Sequence, residues 1–163
     1  MKLRLLNLCA ALVLSPSLFA AEIGEKIPAC EIMPAADAKS YAGKVLYIDF
    51  WASWCPPCAQ SFPFMNELSH DLKDKGLQIV AINMDATLED TQAFLGKYPA
   101  NFTVMTDVDE HCAKNFAIKA MPSSFLIDRK GVIRSTHLGF RDDDAKAIRA
   151  LIEQLLEETP TPQ

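Results

Sequence analysis

The stretch DFWASWCPPCAQSFP, residues 49–63, decides how the chain is read. It holds two of the five cysteines and three of the ten prolines. On its N-terminal side, VLYIDF over residues 45–50 is a short apolar run suited to a buried strand. On its C-terminal side, Phe62, Met65 and Leu68 recur near helical spacing, which predicts a helix from about Pro56 to Lys75, kinked at Pro63 and ended by Gly76. The cysteine pair Cys55 and Cys58 therefore falls where a buried strand hands over to a helix.

As a fastener this pair is poor. The chain-entropy model assigns about 1.9 kcal/mol to a four-residue disulfide loop, against about 4.5 kcal/mol for the much longer loop between Cys30 and Cys112. As a redox switch it is well placed. Cys55 at the helix start faces the positive end of the helix dipole and free backbone N–H groups, and both favour a thiolate, the form that attacks disulfides. Pro56 and Pro57 suit the first turn, where their missing N–H groups cost nothing. Cys58, one turn inside, is positioned to resolve a mixed disulfide. An inert disulfide is the plain alternative. Zinc would need two further ligands; Cys30 and Cys112 stand alone, and neither His70 nor His111 has ligand spacing.

Asp49 interrupts the apolar strand six residues before Cys55. Burial without a partner raises a carboxyl pKa toward the working range of a proton carrier. Two readings stand: a base that takes the Cys58 proton, or a strand-end carboxylate bonded to backbone or water. Trp51 and Trp54 flank the cysteines as core packing or as a hydrophobic collar for substrate.

Further along, LQIVAINM (77–84) reads as a second strand and Thr87–Lys97 as a helix with Phe94 and Leu95 inward. Asn101–Met105 reads as a short strand and Glu110–Phe116 as a short helix. SSFLID and VIRSTHL flank the turn Asp128-Arg129-Lys130-Gly131, a hairpin signal. Asp142–Glu158 is a terminal helix carrying Ile148, Leu151, Ile152 and Leu155. Strands that alternate with helices and then close in a hairpin and helix fit an α/β fold, a mixed sheet with helices on both faces. From spacing alone the Met121-Pro122 bond is not expected to be cis.

The ends differ in kind. Lys2 and Arg4, the apolar run Leu5–Leu14 and a small-residue site near Ala20 have the layout of a secretory signal peptide over residues 1–20. A single domain is expected over 21–158 and a disordered tail over 159–163. Cleavage would remove two cations and no acid from a formal charge of −5, so nothing electrostatic favours nucleic acid. Export places the chain where disulfides persist.

At WCPPC the sequence resembles the thioredoxin superfamily. DFWASWCPPCAQSFPFMNEL, VAINMD and MPSSFLIDRKGVI, in that order, are similar to the TlpA/ResA-like thiol-disulfide oxidoreductases, over roughly residues 24–156. The resemblance implies a thioredoxin fold, with an N-terminal extension and a strand–helix segment inserted near residues 79–100. It implies that Met121-Pro122 is a cis-proline loop beside the cysteines, where the Met121 backbone pairs with an extended substrate. Trp54, Pro56, Pro57, Met121 and Pro122 are then the substrate-binding residues, Pro63 the kink proline and Asp49 the buried acid. Three positions depart from relatives. ResA-type proteins carry a glutamate after the second long strand, where this chain has Ala86 with Asp85 and Glu89 as neighbours. Thioredoxins dedicated to cytochrome c maturation carry a glutamate after the cis proline, where this chain has Ser123. A peroxiredoxin needs Thr or Ser at the position of Ala52.

Cys30 and Cys112 each stand where such proteins carry an apolar residue. Separate buried thiols are one reading; a structural disulfide tying the N-terminal extension to the domain is the other. The function expected is an exported, periplasmic thiol-disulfide oxidoreductase, a monomer that reduces disulfides in envelope proteins with no cofactor or metal. The resemblance implies a membrane-embedded thiol donor that resets it. A disulfide oxidase or isomerase, and a redox-inactive binding module of the same fold, are the alternatives.

Overall fold

The computed structural model describes residues 21–30 and 41–158; the expected leader over 1–20 and the expected disordered tail over 159–163 lie outside the described residues. Strand β1 (Val45–Trp51) is followed by helix α1 (Pro56–Leu72), a 3-10 turn (Lys73–Lys75) and strand β2 (Leu77–Asn83). Helix α2 (Leu88–Lys97), strand β3 (Thr103–Thr106) and the short helix α3 (His111–Asn115) come next. Strands β4 (Ser123–Ile127) and β5 (Ile133–Leu138) form the hairpin, and α4 (Asp142–Glu157) closes the domain.

The strands form one five-stranded mixed sheet in the order β3-β2-β1-β4-β5. β1 lies parallel to β2 and antiparallel to β4. It is central and buried along its whole length, which is why it reads as a continuous apolar run rather than an alternating one. The strand–helix segment expected near residues 79–100 is instead a helix followed by a strand, α2 and β3, and β3 extends the sheet beyond β2.

Alternate β1 side chains feed two cores. Val45, Tyr47 and Trp51 join α1 and α4 on one face; Leu46, Ile48 and Phe50 join α3 on the other. On the first face Trp51, Phe62 and Phe94 pack with ring centroids 4.6–4.9 Å apart and lock β1, α1 and α2 together. On the second, Phe50, Phe116 and Phe125 form a matching trio.

The predicted helix from Pro56 to Lys75 ends three residues early, because the chain tightens into the 3-10 turn before Gly76. Gly76 has φ 103°, and a Cβ there would lie 3.1 Å from Arg129 Nη1. That guanidinium reaches back from the hairpin turn to the carbonyls of Gly43 and Leu156, at 2.8 and 2.9 Å. Residues 24–27 run beside β5, with backbone bonds from Gly24 N–H to Ile133 O and from Ile133 N–H to Glu25 O. Cys30, which follows, is joined to Cys112 in α3 by a disulfide.

Candidate functional site

β1 ends at Trp51, and a tight turn leads to Cys55, the residue that caps α1. Cys55 has extended φ/ψ of −100° and 102°, and Pro56 and Pro57 are the first two helical residues. Cys55 and Cys58 are joined in a disulfide. Cys58 is completely buried and Cys55 is 4% exposed, so only the edge of Cys55 reaches the surface.

The first turn differs from expectation in one respect. Pro56 and Pro57 supply no N–H, and the N–H groups of Cys58 and Ala59 both point at the Cys55 carbonyl, 3.1 and 3.4 Å away. Free N–H groups are therefore not what would favour a thiolate here. The dipole of a 17-residue helix remains.

The two tryptophans part company. Trp51 is core; Trp54 is 69% exposed beside the disulfide. Trp54, Cys55 and Pro56 border an open groove of about 360 Å3, whose far wall is α2 through Asp90, Lys97 and Tyr98. Pro57, Met121 and Pro122 do not line it. The Met121-Pro122 bond is cis, as the resemblance implies and spacing alone does not. Met121 packs at the margin of the cluster that contains Cys55 and Cys58.

Asp49 points into that same cluster face, between Tyr47 and Trp51. It is 1% exposed, and its Oδ2 has no hydrogen-bond partner. Burial pushes its carboxyl well above the ordinary value of 3.8. Tyr47 is also pushed up, first by burial and second by the Asp49 charge, with the Ser124 side chain acting the other way.

Sequence reading named Asp85 only as a neighbour of Ala86 and gave it no role. Asp85 is 2% exposed. It accepts from the Ser53 N–H at 3.0 Å, the Ser53 hydroxyl at 3.0 Å and Asn83 Nδ2 at 2.8 Å. The Thr91 hydroxyl donates to Asn83 Oδ1 at 2.7 Å, which brings α2 into the network. The Asp85 carboxylate thus holds the turn two residues before Cys55. An acid directly after an apolar strand gave only the position; its partners lie on other elements. Among the described residues no group of three or more His, Cys, Asp or Glu side chains is placed to hold a metal ion.

The Redoxin family model matches residues 23–152. The protein named thiol-disulfide oxidoreductase ResA of Bacillus thuringiensis is 35% identical over 97 residues. That match covers 60% of this chain and 56% of the relative's length. A crystal structure from Chlorobium tepidum, carried under the name thiol:disulfide interchange protein DsbE, is 41% identical with a TM-score of 0.78. It covers 84% of this chain and 99% of that one. A Neisseria meningitidis structure carried under the name thioredoxin is 30% identical with a TM-score of 0.64, covering 72% of this chain and 77% of that one.

Proposed function

The chain belongs to the Redoxin family, within the thioredoxin superfamily and akin to its ResA-like members, and from that premise we propose that it is an exported thiol-disulfide oxidoreductase that reduces disulfides in envelope proteins. The observation that carries the proposal is the Cys55–Cys58 disulfide at the start of α1, with a buried Asp49, whose Oδ2 lacks a partner, on the β1 strand that leads into it. A buried carboxyl with an oxygen left unbonded is costly for the fold, so its position calls for a role in chemistry.

In the reduced protein Cys55 attacks a substrate disulfide as thiolate and forms a mixed disulfide. Asp49 takes the proton of Cys58. The Cys58 sulfur then attacks Cys55, the bond from Cys55 to the substrate breaks, and the substrate leaves reduced. Two electrons pass from the Cys55/Cys58 dithiol to the substrate. Trp54 and Pro56 meet the substrate from the groove side; Pro57, Met121 and Pro122 would meet it outside that groove. The leader-like residues 1–20 and the Cys30–Cys112 bridge both suit an oxidising compartment outside the cytoplasm. A membrane-embedded thiol donor would restore the dithiol, and the protein would act as a monomer.

Turbidity from insulin reduction by dithiothreitol tests the activity. The protein accelerates it and Cys55→Ser does not; equal rates would leave a binding module of the same fold. A reduction potential nearer the roughly −270 mV of thioredoxin than the roughly −120 mV of DsbA is expected for a reductase. A value near the latter would make the protein an oxidant.

A further inference from the structure

Asp49 is sealed from solvent, yet a base that stays protonated cannot act. Burial favours its neutral form, so it must shed a proton before it can accept one from Cys58. The mouth of the site is a poor exit. Cys58 is fully buried, Cys55 shows only an edge, and during resolution the substrate still covers that edge.

The sheet offers another way out. Asp49 pairs with Ser124 across β1 and β4, and Ser124 pairs with His137 across β4 and β5. Cross-strand partners share a face, so Asp49, Ser124 and His137 form one lateral row on the side covered by α1 and α4. Beside that row lies a small space of about 20 Å3, lined by Tyr47, Ser124, Ser135 and His137 and by the aliphatic Leu126, Ile148 and Leu151. That is room for one water, for which the tyrosine, serine and histidine side chains are the candidate partners. Ser124 and His137 also border an open surface groove of about 330 Å3 on the other side. The His137 side chain is 30% exposed, so it is the member of the row that reaches solvent.

The geometry points to a proton exit along this row: from Asp49 past the hydroxyls of Ser124 and Tyr47, across one water, to His137 and then to bulk. This rests on Asp49 being the base for Cys58. The steps balance. Cys58 S–H gives its proton to the Asp49 carboxylate. The Cys58 sulfur bonds to Cys55 and the substrate sulfur departs with the electron pair of the broken bond. Asp49 then passes its proton through hydroxyl and water to the His137 ring, which releases it to bulk. His137 suits the last position because an imidazole has two ring nitrogens, one that can accept a proton while the other gives one up. The groups around it are Asp144 from α4, with Oδ2 3.1 Å from Nε2, Arg141, with Nε 3.5 Å from that same oxygen, Lys119 across the groove, and Tyr47 across the small space. Nε2 is itself closed to solvent and, though within ion-pair distance of Asp144, lacks the alignment of a hydrogen bond.

The test is steady-state disulfide reduction by the full protein in water and in deuterium oxide. It compares wild type with His137→Ala, His137→Gln and Asp49→Asn, with and without free imidazole. Loss of a general base costs about 10²–10⁴-fold, and loss of its exit is expected to cost about tenfold. Both His137 variants should slow with an enlarged isotope effect. Free imidazole, small enough to enter the partly exposed space left by the missing ring, should restore His137→Ala. His137→Gln keeps most of the side-chain volume and covers the case in which the smaller residue disturbs folding. Wild-type rates in both His137 variants, with Asp49→Asn still slow, would overturn the exit and leave the base intact. Slow variants with no imidazole rescue and no isotope change would show His137 to be a packing residue, which also overturns it. A wild-type rate for Asp49→Asn would remove the base and the exit together.

Discussion

Replacing Asp49 by Asn should make the folded protein more stable, and the gain should grow with pH. The carboxyl is 1% exposed, Oδ2 has no partner, and burial lifts its pKa well above 3.8. Below the unfolded pKa both states hold the proton and the two proteins respond alike. Above it the unfolded chain ionises while the folded chain keeps its proton. The unfolded state then binds fewer protons, so wild-type stability falls as pH rises until the folded pKa is passed. The slope is about 1.4 kcal/mol per pH unit throughout that window. An asparagine at this position has no proton to lose, so the difference between the proteins isolates this one group. Urea unfolding of the oxidised forms, from about pH 4.5 to about pH 8, reads it directly. Oxidation keeps the Cys55 and Cys58 thiols from titrating. The expected plot of variant minus wild type climbs at that slope and then levels, and the break gives the folded pKa of Asp49. A flat difference would mean that Asp49 ionises as freely as in the unfolded chain, and burial would then give no ground for a role in proton transfer.

Two further outcomes follow from the same geometry. Removing the Cys30–Cys112 bridge by Cys→Ala at both positions should cost about 4.5 kcal/mol and removing Cys55–Cys58 in the same way about 1.9 kcal/mol, both by urea unfolding; equal losses would undo the separation of fastener from switch. Asp85→Ala strands the Ser53 N–H and the Asn83 amide in the interior, at about 1–3 kcal/mol each, and should also slow insulin reduction by loosening the turn before Cys55. A loss within about 0.5 kcal/mol, the scale of an unremarkable surface substitution, would show that the network holds nothing.

Much of this was legible in the residues themselves, because the signals were local. The β1–α1 junction shows in an apolar run, a proline pair and helical spacing. Gly76 marks the end of the helical segment by its own conformation. Asp49 stands out because a charge inside VLYIDF has nowhere to go. What was not legible depends on which strands become neighbours. Ser124 and His137 are ordinary until register lays them beside Asp49. Asp85 looks like a loop acid until Ser53, Asn83 and Thr91 converge on it. Arg129 sits in a hairpin turn, where a solvated cation is the natural expectation; instead it binds carbonyls from two distant segments. The fates of Trp51 and Trp54 turned on where β1 ends: Trp51 is its last, core-facing residue and Trp54 lies in the turn beyond it. The loss of first-turn N–H groups could have been foreseen, since Pro56 and Pro57 occupy the positions that would have supplied them.

The mechanism requires Cys55 to be a reachable sulfur that ionises early. Alkylation of the reduced protein, followed by mass spectrometry across a pH series, measures both properties at once. The expected result is modification of Cys55 ahead of Cys58, with a midpoint clearly below the roughly 8.5 of a free cysteine. A midpoint at the free-cysteine value, or a Cys55 that reacts no faster than buried Cys58, would contradict it.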